Sequence, residues 1–311
     1  MQKYSRILFH VYMGAFLIYL LLPLLVMGGA AFNDSKLPTI IPWKGFTDQW
    51  FIAMWNDNRI WIALRNTVLV AIAVVIIAVP VGTAGAILVN SINGRVRSVL
   101  YGLMVAPILV PGVVIGISTL LFWNELGQMT TEAFTKIGLE SYDPTNIEFS
   151  LLGHDFKFNP FGPWLHLSVL GQVSYIASFV MLLVLARLQS FDQGLEEAAL
   201  DLGATHSQVM RRILLPHLYP ALGAGAAISF FQSIENFNVT LFTRGGADTL
   251  TVYVFSKVRS GITPTINALA LLLILFTLGI AIWYEISRRR KARIEAAREA
   301  EGRRAEDAEL A

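Results

Sequence analysis

The chain has 311 residues, of which 55% are hydrophobic and only 15% are charged. A soluble globular protein has about a quarter charged residues, so this composition predicts a protein built for the lipid bilayer. The net charge of +2 does not indicate attraction of nucleic acid, and the absence of cysteine excludes disulfides and metal–thiolate sites.

Six segments are apolar over the roughly 20 residues that a membrane-spanning helix requires. Their apolar runs are continuous rather than alternating, and a helix satisfies its own backbone groups inside lipid. We therefore predict an all-α polytopic membrane protein with six transmembrane helices in a single membrane domain. In chain order the predicted spans cover about residues 7–31, 62–89, 98–123, 165–186, 217–242 and 266–286.

The first span has two interpretations. Lys3 and Arg6 precede it, and Gly29-Ala30-Ala31 resembles a signal-peptidase cleavage site. Its apolar run of about 24 residues exceeds the 7–15 residues of a signal peptide, which favours a retained span over a cleaved one.

Proline and glycine interrupt the second and third spans. Pro80, Pro107 and Pro111 lack the amide that a helix needs and are expected to kink it. Gly112 and Gly116 form a GxxxG pair, which we interpret as a place of close helix packing rather than as a dimer face.

Two longer segments join the spans on the side opposite the termini. Residues 32–61 carry four tryptophans, which are more typical of an interfacial aromatic belt than of a ligand cage. Residues 124–164 contain several Pro and Gly residues without a recognisable motif. That segment is long enough to form a lid or a docking surface.

The distribution of positive charge predicts the orientation in the membrane. Six spans put both termini on one side, and fifteen of the 24 Lys and Arg residues fall on that side. The charged tail, residues 287–311, contributes much of this excess. By the positive-inside rule both termini are cytoplasmic, and so is the segment 187–216 between the fourth and fifth spans.

This cytoplasmic segment carries the signals of two short helices. Ser190 with Gln193 and Thr205 with Gln208 each match a capping box, which begins a helix. Gly203 stands where a left-handed cap would end the first helix.

The first of these helices has an apolar face, because small and apolar residues recur at spacings of three and four. Pro216 is expected to end the second helix, since it lacks an amide donor and clashes with the preceding turn. The projection fits two interpretations equally: a docking surface for a partner protein, or an interfacial hairpin packed on its own bundle. The apolar face comprises Leu195, Ala198, Ala199 and Leu202.

The sequence of this segment resembles a known signature. Residues 197–216 read EAALDLGATHSQVMRRILLP, with an EAA triplet, a Gly four residues after its second Ala, and Ile-x-Leu-Pro. This pattern is similar to the cytoplasmic loop of permeases in binding-protein-dependent ABC importers, and the flanking residues resemble the spermidine/putrescine branch. The resemblance implies a type I ABC importer permease fold in a bacterial inner membrane.

In that family the loop supplies a coupling helix that seats in a cleft of the ATP-binding subunit. The resemblance implies that the coupling residues here are Glu197, Ala198, Ala199, Asp201, Gly203, Ile213 and Pro216.

The resemblance also implies an assembly with two ATP-binding subunits, a second permease and a periplasmic solute-binding protein. ATP and Mg would be held by the ATP-binding subunits. This chain has no G-x-x-x-x-G-K-[ST] sequence that would cradle a phosphate, so we expect it to bind no cofactor and not to be an enzyme.

The fifth span is the least apolar and predicts a transport path. Ser229, Gln232, Glu235 and Asn236 recur at three- and four-residue spacing and so share a helix face. A carboxylate at that depth is costly if it faces lipid, so Glu235 is expected in a wet cavity or beside a cation. Tyr175 of the fourth span is expected to line the same cavity.

The alternative to a transport path is a packing cluster in which Glu235 pairs with Arg65 or Arg244 across helices. No metal site is expected, because lone histidines without a second ligand at helical spacing are more typical of hydrogen bonding. Further polar residues of the fourth span that are expected near Tyr175 are His166, Gln172, Ser174 and Ser178.

These features predict a permease of an ATP-driven importer that moves small cationic solutes, such as putrescine or spermidine, by alternating access. The alternative is the same type of importer for another solute: an opine, an amino-acid derivative or a phosphonate. An intramembrane enzyme is disfavoured because HExxH, GxSxG and cysteine are all absent. A passive channel is disfavoured because it would not need a cytoplasmic loop that binds an ATP-binding subunit.

Overall fold

The computed structural model describes residues 2–138, 143–151, 154–261 and 263–310. Helices dominate the described chain, as the composition predicts. The elements in chain order are α1 (Gln2–Ala31), α2 (Gln49–Asn56), α3 (Asn58–Ser91), α4 (Arg95–Leu109), α5 (Gly112–Lys136), β1 (Ile147–Leu151), β2 (His154–Phe158), α6 (Leu165–Leu188), α7 (Gln193–Asp201), α8 (His206–Val209), a π turn (Met210–Leu214), α9 (Leu215–Ile234), α10 (Asn238–Thr243), α11 (Leu250–Ser260) and α12 (Pro264–Leu310).

Contacts between residues divide the chain into two units. The first consists of Met1–Asp57 with Lys257–Ala311, and the second consists of Asn58–Ser256. The sites discussed below all lie in the second unit.

In the first unit, α12 contacts both α1 and α2. The chain between α1 and α2 is organised by Asn33, whose buried amide donates to the carbonyl oxygens of Thr39 at 2.7 Å and Pro42 at 3.1 Å. The indole of Trp50, one of the tryptophans expected in an aromatic belt, donates to the Asn33 carbonyl at 2.9 Å. A buried amide therefore holds this connection in place, because each of its polar groups has a partner.

The second unit is built on α3, α6 and α9, which contact one another. Its buried core includes Val74, Ile176, Met181 and Leu218. A Cβ on Gly82 of α3 would lie 2.5 Å from the carbonyl oxygen of Ala177 on α6, so only glycine permits this approach. Small residues allow helix backbones to pack closely where lipid supplies no hydrophobic driving force.

Within the described residues, five helices are long and apolar enough to cross a membrane. The pair α4 and α5 makes a sixth span if its members are taken together, although the chain bends by 104° between them. The interruption expected at Pro111 in the third span is therefore present, and it is a break between two helices rather than a kink within one. Pro111 cannot donate a backbone hydrogen bond, and the helix breaks at that residue.

The segment 124–164 contains the two strands of the described chain. Strands β1 and β2 form an antiparallel hairpin in which Glu148 lies opposite Lys157. Their side chains are 2.6 Å apart, and the neighbouring ammonium lowers the pKa of Glu148 below its ordinary value. The all-α fold class is confirmed, and one short hairpin is compatible with it, since two strands can pair without a lipid-facing edge when they lie outside the spans.

The charged tail continues the last span as a helix. Helix α12 extends to Leu310, well beyond the apolar stretch that ends near residue 286. Glu285 accepts a hydrogen bond from Arg289 at 2.6 Å, a spacing of four residues that supports a solvated helix.

Candidate functional site

The coupling segment comprises residues 187–216. Its first helix, α7, begins later than the first capping box predicts. The hydroxyl of Ser190 donates back to the carbonyl of Arg187 at 2.8 Å, because α6 continues to Leu188 and Ser190 belongs to its last turn. Asp192 is the N-cap of α7, and its carboxylate accepts from the amide of Gly194 at 2.9 Å. The predicted cap at Ser190 is therefore wrong by two residues.

The predicted end of this helix is confirmed. Gly203 has a φ of +87°, in the left-handed region that favours glycine. Its amide donates to the carbonyl of Leu200 at 2.9 Å, and the amide of Ala204 donates to Ala199 at 3.0 Å. These two bonds form a Schellman cap, which ends α7 in a defined turn.

The second capping box is also confirmed. The hydroxyl of Thr205 accepts from the amide of Gln208, and the Gln208 side chain accepts from the Thr205 amide at 2.8 Å. A short α8 follows directly from this box.

The expectation that Pro216 ends the helix is wrong. Helix α8 passes through the π turn Met210–Leu214 into α9, and Pro216 occupies the first turn of α9. Proline has no amide to donate and its ring needs space at the preceding turn. A π turn widens the helix at that point, and the chain continues without a stop.

The apolar face of the coupling segment is not covered by the bundle. Leu202, at the corner before Gly203, is 89% exposed, and Leu195 is 53% exposed. This exposure favours the docking interpretation, because a hairpin packed on its own bundle would bury that face. The remaining coupling residues are exposed at Glu197, Ala198, Asp201 and Pro216 and half-buried at Ala199 and Ile213.

A second region of interest is a cavity of about 510 Å³. It lies where two helix interruptions meet: the bend between α4 and α5, and the break between α9 and α10. Helix breaks at membrane depth are tolerated where they line a cavity, and in many transporters such breaks mark the solute site. This central cavity is lined by Pro107, Ile108, Val110, Gly112, Ile115, Tyr175, Phe179, Gln232, Glu235, Asn236, Phe237 and Asn238.

The break between α9 and α10 is organised by Asn236. Its amide nitrogen donates to the Tyr175 hydroxyl at 2.5 Å, and its carbonyl oxygen accepts from the amides of Val239 at 3.2 Å and Thr240 at 3.3 Å. The backbone carbonyl of Asn236 accepts from the hydroxyl of Thr251 at 3.1 Å. Asparagine competes with helical hydrogen bonds in this way, so it ends one helix and begins the next.

A second set of hydrogen bonds lies behind this break. The buried Gln172 of α6 donates to the Thr240 hydroxyl at 2.9 Å and accepts from the Ser233 hydroxyl at 2.6 Å. Nearby, the hydroxyl groups of Ser168 and Thr243 are 2.9 Å apart. Each of these buried polar groups is satisfied, which makes the wall of the cavity rigid.

The GxxxG pair serves to pack α10. A Cβ on Gly116 would lie 3.0 Å from the carbonyl oxygen of Val239, and one on Gly112 would lie 3.0 Å from the Cβ of Asn238. Gly171 of α6 faces the Val239 side chain in the same way, at 2.7 Å. The interpretation of Gly112 and Gly116 as a close-packing site is confirmed, and the partner is a helix of the same chain.

The structure brings together four of the five residues that the sequence assigns to the transport path. Tyr175, Gln232, Glu235 and Asn236 all line the central cavity. Ser229 does not: its hydroxyl is fully buried and has no hydrogen-bond partner among the described residues. Helix α9 ends at Ile234, so the expected helix over 217–242 is interrupted and the shared face does not extend through all four polar residues of the fifth span.

The other polar residues of α6 have different surroundings. Gln172 lies in the buried network, and His166 hydrogen-bonds to the carbonyl of Pro160 at 3.0 Å. Ser174 donates back to the Gly171 carbonyl at 2.7 Å. The central cavity therefore receives Tyr175 and Phe179 from α6, one helical turn apart, while Gln172, Ser174 and Ser178 are outside its lining.

Glu235 is the charged group of the central cavity. It caps the end of α9, is exposed, and makes no ion pair among the described residues. The alternative partner Arg244 pairs instead with Asp248. An unpaired carboxylate beside the aromatic rings of Tyr175 and Phe237 suits an organic cation, which aromatic faces and carboxylates both attract.

Several cavity residues were missed by sequence reasoning. Phe179 and Phe237 carry no motif, and Ile108 and Val110 resemble ordinary lipid-facing residues. One available signal was the pair Pro107 and Pro111, since interrupted apolar segments point to a solute site in membrane transporters.

Comparison with known proteins places the chain in a family. Residues 78–293 match the model for the inner membrane component of binding-protein-dependent transport systems. The chain is 30% identical over 280 residues to the putrescine transport system permease protein PotI of Escherichia coli K12, covering 89% of each protein. It is 27% identical to the spermidine/putrescine permease PotC of the same strain, covering 93% of this chain and 97% of PotC.

The fold is similar to that of a solved transporter. A bacterial ABC transporter that imports the acidic polysaccharide alginate contains a chain with a TM-score of 0.63 to this one, at 19% identity, with 92% and 96% of the two chains covered. That likeness shows a shared ABC importer fold. The chain therefore belongs to the family of inner membrane components of binding-protein-dependent transport systems, and it is a multi-pass permease subunit of an ABC importer.

Proposed function

We propose that this permease carries polyamines, with putrescine as the leading candidate, from the periplasm to the cytoplasm. The relatives PotI and PotC are named for transport of putrescine and spermidine, and both align with most of the chain. The free carboxylate of Glu235 in a cavity with aromatic and amide side chains supports the same solute class. This central cavity is the observation that carries the proposal.

The coupling segment transmits the work of ATP hydrolysis in this proposal. Leu195 and Leu202 present an uncovered apolar face on α7, and Gly203 holds the following turn in a defined geometry. An exposed apolar face on a rigid element is typical of a protein interface. The segment would seat in a cleft of one ATP-binding subunit, a second permease would engage the other, and a periplasmic protein would deliver the solute.

The π turn connects this interface to the central cavity. Helix α9 runs from the coupling segment to Ile234, so displacement at α7 and α8 moves the break that carries Glu235 and Asn236. Closure of the ATP-binding subunits would thereby switch the cavity between inward- and outward-facing states. In this orientation the coupling segment and both termini are cytoplasmic, as the charge distribution predicts.

The cargo is tested by uptake into proteoliposomes that contain the assembled transporter and its binding protein. We expect ATP-dependent uptake of radiolabelled putrescine, and Glu235→Gln lowers it about tenfold at limiting solute because a charge-assisted hydrogen bond to the ammonium is lost. The matched control is Glu125→Gln, an exposed carboxylate of α5 that does not line the central cavity. Equal uptake by the two variants would show that Glu235 does not select the charge, and preference for an opine or phosphonate would replace the polyamine assignment.

Coupling is tested separately with Glu197→Lys. Reversal of an exposed charge on α7 leaves membrane insertion intact and lowers solute-stimulated ATP hydrolysis. Glu125→Lys is the matched control for the same charge change elsewhere on the chain. Normal stimulated hydrolysis in Glu197→Lys would contradict the assignment of α7 as the interface.

A further inference from the structure

A second cavity lies at the end of the second unit near the β-hairpin. This hairpin cavity has a volume of about 420 Å³ and is formed by α5 together with the turns that flank β1 and β2. Its volume falls within the range of roughly 300–1,000 Å³ that is usual for small-molecule sites. The coupling residues are absent from its lining, and so is Glu235.

One wall of the hairpin cavity is a polar stripe on α5. Asn124, Gln128, Thr131 and Glu132 recur at spacings of four, three and one, so they lie on one side of the helix and all line the cavity. Among the described residues, Asn124, Gln128 and Glu132 have no hydrogen-bond or ion-pair partner in the protein. The stripe therefore offers one carboxylate and two free amides to a ligand.

The opposite wall is held in place by the chain before α6. Asn159 accepts from the amides of Phe161 at 2.9 Å and Gly162 at 2.8 Å, which fixes this turn. Phe161 lies directly on Gly127, where an added Cβ would be 2.8 Å from the Phe161 Cβ. The ring of Trp123 is 6.2 Å from that of Phe161, so an aromatic surface adjoins the polar stripe.

The chemistry of this lining favours an organic ammonium over a metal ion. A calcium ion takes six to eight oxygen ligands, several of them carboxylates. Within the described residues no group of three or more His, Asp or Glu side chains stands ready to hold a metal. An alkylammonium group has a single charge and three donors, which match Glu132 and neighbouring amide oxygens, and its carbon chain packs on an aromatic ring.

The two cavities lie in series along the same helices. Ile115 of α5 lines the central cavity and Asn124 lines the hairpin cavity, and nine residues of helix separate them by about 14 Å. Phe161, which lines the hairpin cavity, lies shortly before Leu165, the first residue of α6. Tyr175, which lines the central cavity, lies about 15 Å further along that helix. The coupling segment follows the far end of α6, so the order is hairpin cavity, central cavity, coupling segment.

We propose that the hairpin cavity is a second binding site for an alkylammonium solute, with Glu132 as its charged group, occupied before the central cavity. This inference rests on the proposed transport of polyamines. A diamine released at the hairpin side would be held there by Glu132 and would pass inward along α5 to Glu235.

The test is equilibrium binding of radiolabelled putrescine to the full-length permease in lipid nanodiscs, without a binding protein. Measurements are made in the Glu235→Gln background, which removes the charge of the central cavity. We expect putrescine binding to persist in that background and to weaken about tenfold when Glu132→Gln is added, because one charge-assisted hydrogen bond is lost. Glu132→Asp retains the charge and is expected to restore most of the binding.

The matched control is Glu125→Gln in the same background, which changes a carboxylate on the same helix outside the cavity lining. Equal putrescine affinity for the Glu132→Gln and Glu125→Gln proteins overturns the proposal. The proposal is also overturned if Glu132→Gln leaves putrescine binding intact but weakens capture of the solute-binding protein, since the cavity would then be a docking notch. Failure of the cargo assignment shows separately, as absence of putrescine uptake by the assembled wild-type transporter.

Discussion

The coupling segment exposes an apolar side chain to solvent, whereas the wall of the central cavity buries a polar one. In the coupling segment, Leu202 is 89% exposed at the corner that follows α7. In the cavity wall, Gln172 is fully buried within apolar spans and hydrogen-bonds to Thr240 and Ser233. The exposed leucine is available to a partner protein, whereas the buried amide is satisfied by hydrogen bonds within its own chain.

This difference separates two kinds of functional residue. We expect substitution of the exposed side chains of α7 to change what the permease binds and to leave its fold intact, because Leu195 and Glu197 lie outside the buried core. Substitution in the cavity wall changes the fold first and transport as a consequence, because those side chains hold α6, α10 and α11 together. Variants that change either partner binding or folding stability, but not both, test this distinction.

The largest effect is expected from Gly116→Leu. The new side chain would collide with the backbone of Asn238 and Val239, which cannot move without displacing α10. Overpacking of this kind costs about 3 kcal/mol, and we expect the yield of folded protein and its Tm in detergent to fall together. Gly102→Leu is the control, since nothing lies within 4 Å of a Cβ at Gly102. A Tm for Gly116→Leu that matches the control would show that α10 is not held by this contact.

Leu202→Asp is expected to act on binding alone. Loss of a central apolar anchor weakens an interface by about 2 kcal/mol, or roughly thirtyfold in Kd. The measurement is capture of the partner ATP-binding subunit by immobilised permease, with Tm as the check on folding. Ile137→Asp is the control, because Ile137 is 70% exposed but lies at the end of α5. Equal capture by both variants would remove Leu202 from the interface.

Asn236→Leu is expected to lower both folding stability and transport moderately. It leaves the Tyr175 hydroxyl and the amides of Val239 and Thr240 without their partner, at a cost of about 1–2 kcal/mol. Putrescine uptake should decline more than ATP-binding-subunit capture, which depends on a different region. Uptake at the wild-type level would mean that the order of the break does not matter for transport.

The smallest effects come from a pair of serines on α9. Ser233→Ala removes a hydrogen bond to Gln172, and the loss is about 0.6 kcal/mol, typical for such bonds in membrane proteins. Ser229→Ala removes a buried hydroxyl that has no partner among the described residues, so stability and uptake should stay at the wild-type level or rise slightly. A marked loss of putrescine uptake in Ser229→Ala would show that Ser229 takes part in transport.

Local sequence patterns predict the structure correctly where a few neighbouring residues decide it. The cap at Gly203 and the capping box at Thr205 depend on hydrogen bonds that span three to five residues, and both are present as predicted. The polar residues of the fifth span likewise indicated the cavity that contains Gln232, Glu235 and Asn236. Ser190 was misplaced as a cap because the length of α6 depends on its packing against α3 and α9.

The sequence by itself determined the apolar segments, the signature of the coupling segment and the charged residue that lines the central cavity, because hydropathy and short hydrogen-bonding motifs act along the chain. Only the tertiary structure decided that Pro216 lies inside a continuing helix, that Ser229 is buried outside the cavity lining and that the GxxxG pair packs against α10. Each of these outcomes depends on which distant helix lies opposite a residue. Contacts between residues far apart in the chain are set by the packing of the whole unit, and no local pattern contains that information.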